Sequence, residues 1–142
     1  MNSEKLLHKI GEIYAPLSLE CQEAFMASSN VVRINKGEVV VREGQFSKKA
    51  YLIAQGCSRA YYLKDGKDIS DWFAFENEFM CSIVSFFSKN PSPHYIEFME
   101  DSIVIEFSKD TNDQLSSKYH DFEHLISIVV TRTMLGLSLI HI

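Results

Sequence analysis

Gly37-Glu38-Val39-Val40-Val41-Arg42-Glu43-Gly44-Gln45, followed by Ala50-Tyr51-Leu52-Ile53-Ala54-Gln55-Gly56, is the stretch that decides the fold. Two short apolar runs are each bounded by glycines, and glycine supplies the positive φ that a tight reversal needs. The spacing is that of consecutive strands in a small β-roll. The same pattern continues downstream, where residues 31–34, 38–41, 51–54, 58–63, 69–75, 95–99 and 103–107 read as strands. Lys64-Asp65-Gly66-Lys67 carries the strongest hairpin signal, because Asp-Gly suits a type I′ turn. Many short strands at even spacing point to a sandwich, roll or jelly roll.

Both flanks read as helical. Residues 3–14 place Leu6, Leu7, Ile10, Ile13 and Tyr14 at helical spacing, with Ser3 as the expected cap and Pro16 as the breaker. Ser18 is expected to cap a second helix through about Met26, ended by Ser28-Ser29-Asn30. After the strands, Ser108 is the expected cap of a helix over 109–117, and Asp121 of a longer one from Phe122 onward. Leu125, Ile126, Ile128, Val129, Val130, Met134 and Leu135 occupy nearly every face of that last helix. A water-soluble helix apolar all round needs partners on more than one side. The roll is one expected partner. A second copy of the helix in a symmetric dimer is the other, with Ile126, Val129, Val130 and Thr133 as the expected interface. Arg132 between Thr131 and Thr133 interrupts the apolar run well short of the ~20 residues a membrane span needs.

Composition narrows the function classes. A net charge of −5 and scattered Lys and Arg argue against nucleic-acid binding by these 142 residues, since phosphate neutralisation needs clustered cations. Cys21, Cys57 and Cys81 lie far apart and form no CxxC pair, which disfavours a zinc or iron–sulfur site and favours reduced thiols. The N-terminus Met1-Asn2-Ser3-Glu4-Lys5 is polar and precedes no signal-type apolar core, so the expected location is the cytoplasm.

The glycine-bounded strands, the Tyr51-Leu52-Ile53 run and the order helices, roll, two helices resemble the sensor domain of CRP/FNR-type transcription regulators over about residues 10–136. The resemblance implies a mainly β fold with flanking helices, a double-stranded β-helix (jelly roll) of the cyclic-nucleotide-binding type, followed by a dimerisation helix. Residues 1–30 are then N-terminal helices, 31–108 the sensor roll, and 109–136 a short helix plus part of the dimer helix. It further implies a homodimer that responds to a small-molecule effector and contacts DNA through a helix-turn-helix domain, which these residues do not include. The ending Leu137-Ser138-Leu139-Ile140-His141-Ile142 lacks the polar positions of an interfacial helix and resembles translated adapter sequence. Residues 137–142 are therefore expected to be non-native or frayed.

In that family a Gly-Glu pair, then Arg-Ser or Arg-Thr about ten residues later, hold the ribose hydroxyl and the cyclic phosphate. The corresponding stretch runs from Asn77 to Tyr95. Phe79 and Phe86 match its apolar frame, Cys81-Ser82 stand where Gly-Glu is expected, and Ser92-Pro93 stand where Arg-Ser is expected. No arginine occurs between Arg59 and Arg132. A cyclic phosphate there would lose charge-assisted bonds of ~1.5–3 kcal/mol each. The pocket is expected to be degenerate, with an unidentified effector less anionic than a cyclic nucleotide against Phe79, Cys81, Ser82, Ile83, Ser92, His94 and Tyr95. His94 is the one candidate substitute cation in that set.

Enzymatic readings fit less well. A cupin-like metal site needs histidines gathered on the strands, and no histidine lies between His8 and His94. His120 and His124, one helical turn apart, have no third ligand in view. There is no Gly-x-Ser-x-Gly elbow, and Asp68, Asp71, Glu76 and Glu78 read as solvent-facing. A redox or electrophile sensor at Cys81 would need a lowered thiol pKa. No catalytic residue, cofactor or metal is expected. The alternative is a stand-alone small-molecule-binding roll or cupin-like enzyme.

Overall fold

The computed structural model describes residues 1–139, with side chains through Gly136. In chain order the elements are α1 (Ser3–Ile13), α2 (Leu19–Ala27), β1 (Asn30–Ile34), β2 (Val39–Val41), β3 (Lys49–Gln55), β4 (Ser58–Lys64), β5 (Lys67–Ala74), β6 (Phe79–Met80), α3 (Ile83–Ser88), β7 (Tyr95–Phe98), β8 (Ser102–Ser108), α4 (Lys109–Lys118) and α5 (His120–Leu139). They form two compact units, one spanning Asn30–Lys109 and one made of Met1–Ser29 with the segment from Asp110 onward.

The first unit is the jelly roll. Its strands make two four-stranded antiparallel sheets, ordered β1-β8-β3-β6 and β2-β7-β4-β5. Alternation along the strands sends Ile53 and Val104 from one sheet, and Ala60, Ile96 and Phe98 from the other, into a shared core. Tyr51 meets Phe98 edge-on across that core, with ring centroids 5.9 Å apart. The chain changes sheets between β3 and β4, and Gly56 makes the corner. Its φ is +110°, and a Cβ there would stand 2.0 Å from the Ser102 Oγ. Ser102 opens β8, where the chain crosses back, and Met99 N–H donates to the Cys57 carbonyl at 2.9 Å beside it. The two crossings are thus packed against each other.

The β4–β5 hairpin has the geometry that Asp-Gly predicts, with positive φ at both Asp65 (54°) and Gly66 (78°). Pairing shifts register further along, from Ala60↔Trp72 to Tyr61↔Ser70, which leaves Asp71 as an extra residue. Two elements escape the sequence reading. β6 is two residues long and α3 six, both too short to express a period.

In the second unit, Asn2 rather than Ser3 caps α1, its side chain accepting from the Lys5 N–H, while Ser18 caps α2 as expected. Asp121 does not cap α5. It lies in the first turn, and its Oδ2 accepts the Ser18 N–H at 2.7 Å. Phe25 packs on Phe122 with centroids 5.9 Å apart, and the Arg132 guanidinium donates to the Ile13 carbonyl. Ile126 and Val129 are buried within the single chain, so their burial does not depend on a second copy. Val130 and Thr133 are half-buried, and Met134 and Leu135 are more than half exposed. The expectation of a non-native tail at 137–142 concerns side chains and a terminus outside the described residues.

Gly56→Ala should destabilise the protein by at least ~2 kcal/mol, because the φ and the Ser102 contact both oppose a side chain. Gly66→Ala, which meets no atom within 4 Å, should cost only about 1 kcal/mol for its positive φ. Urea denaturation of the two variants side by side measures the difference. Equal losses would mean that the corner is not close-packed.

Candidate functional site

The segment between β6 and β7 forms a closed polar body. Cys81 and Ser82 lead into α3, which ends at Lys89 in the left-handed conformation (φ 57°). The chain then returns through Ser92-Pro93-His94 into β7. Ser82 Oγ and Ser92 Oγ hydrogen-bond at 2.8 Å, and both residues are buried. Ser92 Oγ also donates to the His94 carbonyl at 2.8 Å and accepts the His94 N–H at 3.2 Å. The Ser92 backbone is held on its other side by Gln45 and Gly44, at 2.7 and 2.8 Å. The buried Ser85 Oγ accepts the Ser47 N–H at 2.6 Å. Residues 44–47 are thereby fastened to the segment 82–94, and the hydroxyls of Ser82 and Ser92 are spent on protein partners.

His94 is paired with a carboxylate. Its Nε2 lies 2.8 Å from the Asp71 Oδ2, and its ring meets Tyr62 edge-on at 6.2 Å. The expected substitute cation therefore has Asp71 as its partner within the site. Asp71 therefore belongs to this site rather than to the solvent, the reading its sequence position suggested. The register shift that turns it toward His94 leaves no mark in composition. Tyr95 stands apart from the serines. It is stacked on Tyr61 (5.1 Å between centroids), on which Arg59 also lies at 4.1 Å. Arg59 is fully engaged, with Glu97 at 3.0 Å, Asp68 at 3.2 Å and Ser70 at 2.9 Å. Phe79 is half-buried with its ring edge-on to Phe107, and Cys81 and Ile83 are half-buried beside Ser82. The structure thus brings Ser82, Ser92 and His94 together in one bonded group and places Tyr95 with Tyr61 and Arg59.

All three thiols have their pKa raised. Burial pushes Cys81 up to about 12. Burial, with Asp121 beside it, pushes Cys21 to about 12 as well. Cys57 is raised by burial and by Glu100. The lowered pKa that a Cys81 sensor would need is absent. Glu78 uses its Oε1 to accept the Phe75 N–H at 2.9 Å, a turn role. Among the described residues no cluster of three or more His, Cys, Asp and Glu could hold a metal, and His120 and His124 are exposed on α5.

A family model described as the cyclic nucleotide-binding domain matches residues 31–119. Among solved structures, the sensor domain of the transcriptional regulator DNR from Pseudomonas aeruginosa matches with a TM-score of 0.74 at 21% identity, covering 98% of this chain and 92% of that one. The catabolite activator protein of Thermus thermophilus matches with a TM-score of 0.74 at 14% identity, over 87% of this chain and 58% of that one. A substituted regulatory subunit of a cAMP-independent protein kinase A from Trypanosoma brucei, bound to cAMP, matches with a TM-score of 0.75 at 13% identity, over 93% of this chain and 46% of that one. The chain therefore spans 58% of the activator and 46% of the kinase subunit. Curated protein sequences include no significant match.

At pH 8 a thiol with a pKa of about 12 is ionised in roughly one molecule in ten thousand, against about a quarter for an ordinary cysteine. Alkylation of Cys21 and Cys81 by iodoacetamide in the native protein should accordingly be slower than in urea by about a thousandfold. Mass spectrometry of timed samples measures this, and rapid native labelling of Cys81 would show that its thiol is activated after all.

Proposed function

The chain belongs to the cyclic nucleotide-binding domain family, and from that premise we propose that it is the effector-sensing and dimerisation part of a CRP/FNR-like transcription regulator whose pocket has given up the cyclic nucleotide. The observation that carries this reading is the 2.8 Å hydrogen bond between Ser82 and Ser92. By the resemblance, these are the positions of the ribose-binding carboxylate and the phosphate-binding arginine. Here each has become the other's partner.

The energetics favour that reading. A cyclic phosphate entering the cassette would find no guanidinium, because Arg59 is held by Glu97, Asp68 and Ser70. It would instead approach Asp71, whose carboxylate already holds His94. Losing one charge-assisted pair of ~1.5–3 kcal/mol weakens binding about ten- to a hundredfold, before the serine bond is broken. The Trypanosoma brucei subunit supports the comparison. It is described as cAMP-independent, and the form that binds cAMP carries three substitutions, one of which introduces an arginine. The effector of the present chain is a molecule less anionic than a cyclic nucleotide, seated by Ser82, Ile83, His94 and Asp71.

The output of such a sensor is the pose of α5. Met134 and Leu135 present apolar surface beyond the buried Ile126 and Val129, and a second α5 covers it in a homodimer. An effector that binds one pose of the helix better than another shifts the population between them. DNA contact belongs to a helix-turn-helix segment outside these residues, and the protein works in the cytoplasm. Among the described residues no helix is long and apolar enough to cross a membrane. The role is regulatory rather than catalytic, as it is by name for the DNR sensor domain and the kinase subunit.

Calorimetry with cyclic AMP and cyclic GMP should show no binding at micromolar concentrations, whereas Ser82→Glu combined with Ser92→Arg should make binding measurable. Tight binding by the unsubstituted chain, lost in His94→Ala, would overturn the reading of the pocket. For assembly, sedimentation should find a dimer that Met134→Glu and Leu135→Glu each convert to monomer, since each places a charge in the interface. Unchanged association in both variants would remove α5 from the interface.

A further inference from the structure

A recess in the roll lies apart from the cassette, none of its lining residues falling within 79–95. It is a cavity of about 590 Å³ at the end of the sandwich where β1, β2, β3 and β8 leave a gap, and every residue lining it belongs to the roll. That volume lies in the range of small-molecule sites. Its apolar wall is Val32, Ile34 and Val39, and Phe46, 64% exposed, stands at its rim. Its inner end is polar. Tyr51 and Glu106 are register partners on β3 and β8, so their side chains share the inward face.

Tyr51 is the informative residue. It is 97% buried, being 3% exposed, and it lines the cavity. Its ring is held by Phe98, but its hydroxyl bonds to no protein atom among the described residues. Burial, with Glu106 and Glu38 nearby, raises its pKa, so the phenol stays protonated at neutral pH. Both carboxylates line the same cavity. That hydroxyl is not a buried, unsatisfied group: the ring is buried while the hydroxyl faces the recess it lines.

The Glu106 carboxylate has one cationic partner, the Lys49 ammonium at 3.3 Å. The two differ in exposure: the Glu106 side chain is 20% exposed and that of Lys49 58%. A long, flexible lysine that is mostly in solvent can leave at small cost, while the carboxylate stays where it is. Lys48, also at the rim, is exposed. The inner end of the recess therefore offers a carboxylate and a free phenol, with a movable cation in front of them.

We propose that this recess is a second ligand site, separate from the cassette, for an organic ammonium carrying an apolar body, and that Lys49 is its built-in stand-in. The ligand's ammonium replaces the Lys49 Nζ beside Glu106 and hydrogen-bonds to the Tyr51 hydroxyl. Its apolar body lies between the valine–isoleucine wall and Phe46. The proposal does not depend on what the cassette binds.

The test titrates the full chain with phenethylamine and with 3-phenylpropionate, which has a similar apolar body and the opposite charge, following backbone amide shifts by NMR. The amine should give saturable shifts at residues 32–51 and at Glu106, and the acid should bind at least about tenfold more weakly. Glu106→Gln should weaken the amine about tenfold, and Tyr51→Phe, which keeps the ring and hence the fold, by several-fold. Lys49→Ala should tighten it several-fold, because the internal competitor is gone. No saturable shift with the amine, tighter binding of the acid, shifts centred on residues 82–95, or an unchanged affinity in Lys49→Ala would each overturn the proposal.

Discussion

The roll closes because Gly56 has no side chain. A jelly roll must pass its chain from one sheet to the other, and here the outward crossing after β3 and the return crossing before β8 share one spot. Their backbones approach until the Ser102 Oγ stands where any Cβ of residue 56 would be. The pairing of β3 with β8, the longest ladder in its sheet, runs directly out of that corner. So does the register that sets Tyr51 opposite Glu106 and Ile53 opposite Val104. A bulkier corner would push residue 56 away from Ser102, whose backbone opens β8.

On the proposed reading, the cassette keeps its fold with a different bonding scheme in place of the family's ligand chemistry. By the family resemblance, a cyclic nucleotide would join the two arms, its ribose hydroxyl on a carboxylate and its phosphate on an arginine. Here two short uncharged hydroxyl side chains join the arms directly. Burying an unpaired carboxylate or guanidinium would have been far costlier than burying two serines that satisfy each other. The dependence is one-sided: Ser82 has Ser92 as its hydroxyl partner, whereas Ser92 also bonds to the His94 backbone.

Much of this was legible in advance, for reasons that can be named. Strands with inward-facing alternation and glycine punctuation declared themselves, as did the Asp65-Gly66 hairpin and the Ser18 cap. What stayed hidden was short or relational. β6 and α3 fall below one period of any pattern, and Asn2 took the cap from Ser3 by a single position. Ser82 and Ser92 were each recognised as a missing charge, but nothing in a linear reading says that the two hydroxyls touch. Asp71 was read as a solvent-facing acid because strand alternation assigned it outward, and a one-residue register shift turned it to His94. Ile126 and Val129 were marked as interface from their apolar character alone, which does not distinguish a partner's cover from the chain's own.

The raised pKa values of Cys21, Cys81 and the Tyr51 phenol also make the native state a reservoir of protons. Cys21 and Cys81 keep theirs until about pH 12, and Tyr51 is raised as well, whereas the unfolded chain releases them near the ordinary values for cysteine and tyrosine. Below those ordinary values both states hold the protons, and stability is indifferent to these groups. As the pH climbs above about 9 the unfolded chain binds fewer protons than the folded one, so each further step toward alkali favours unfolding. The loss continues until the native groups themselves ionise near pH 12. As far as these groups are concerned, the fold therefore tolerates acid shifts far better than alkaline ones.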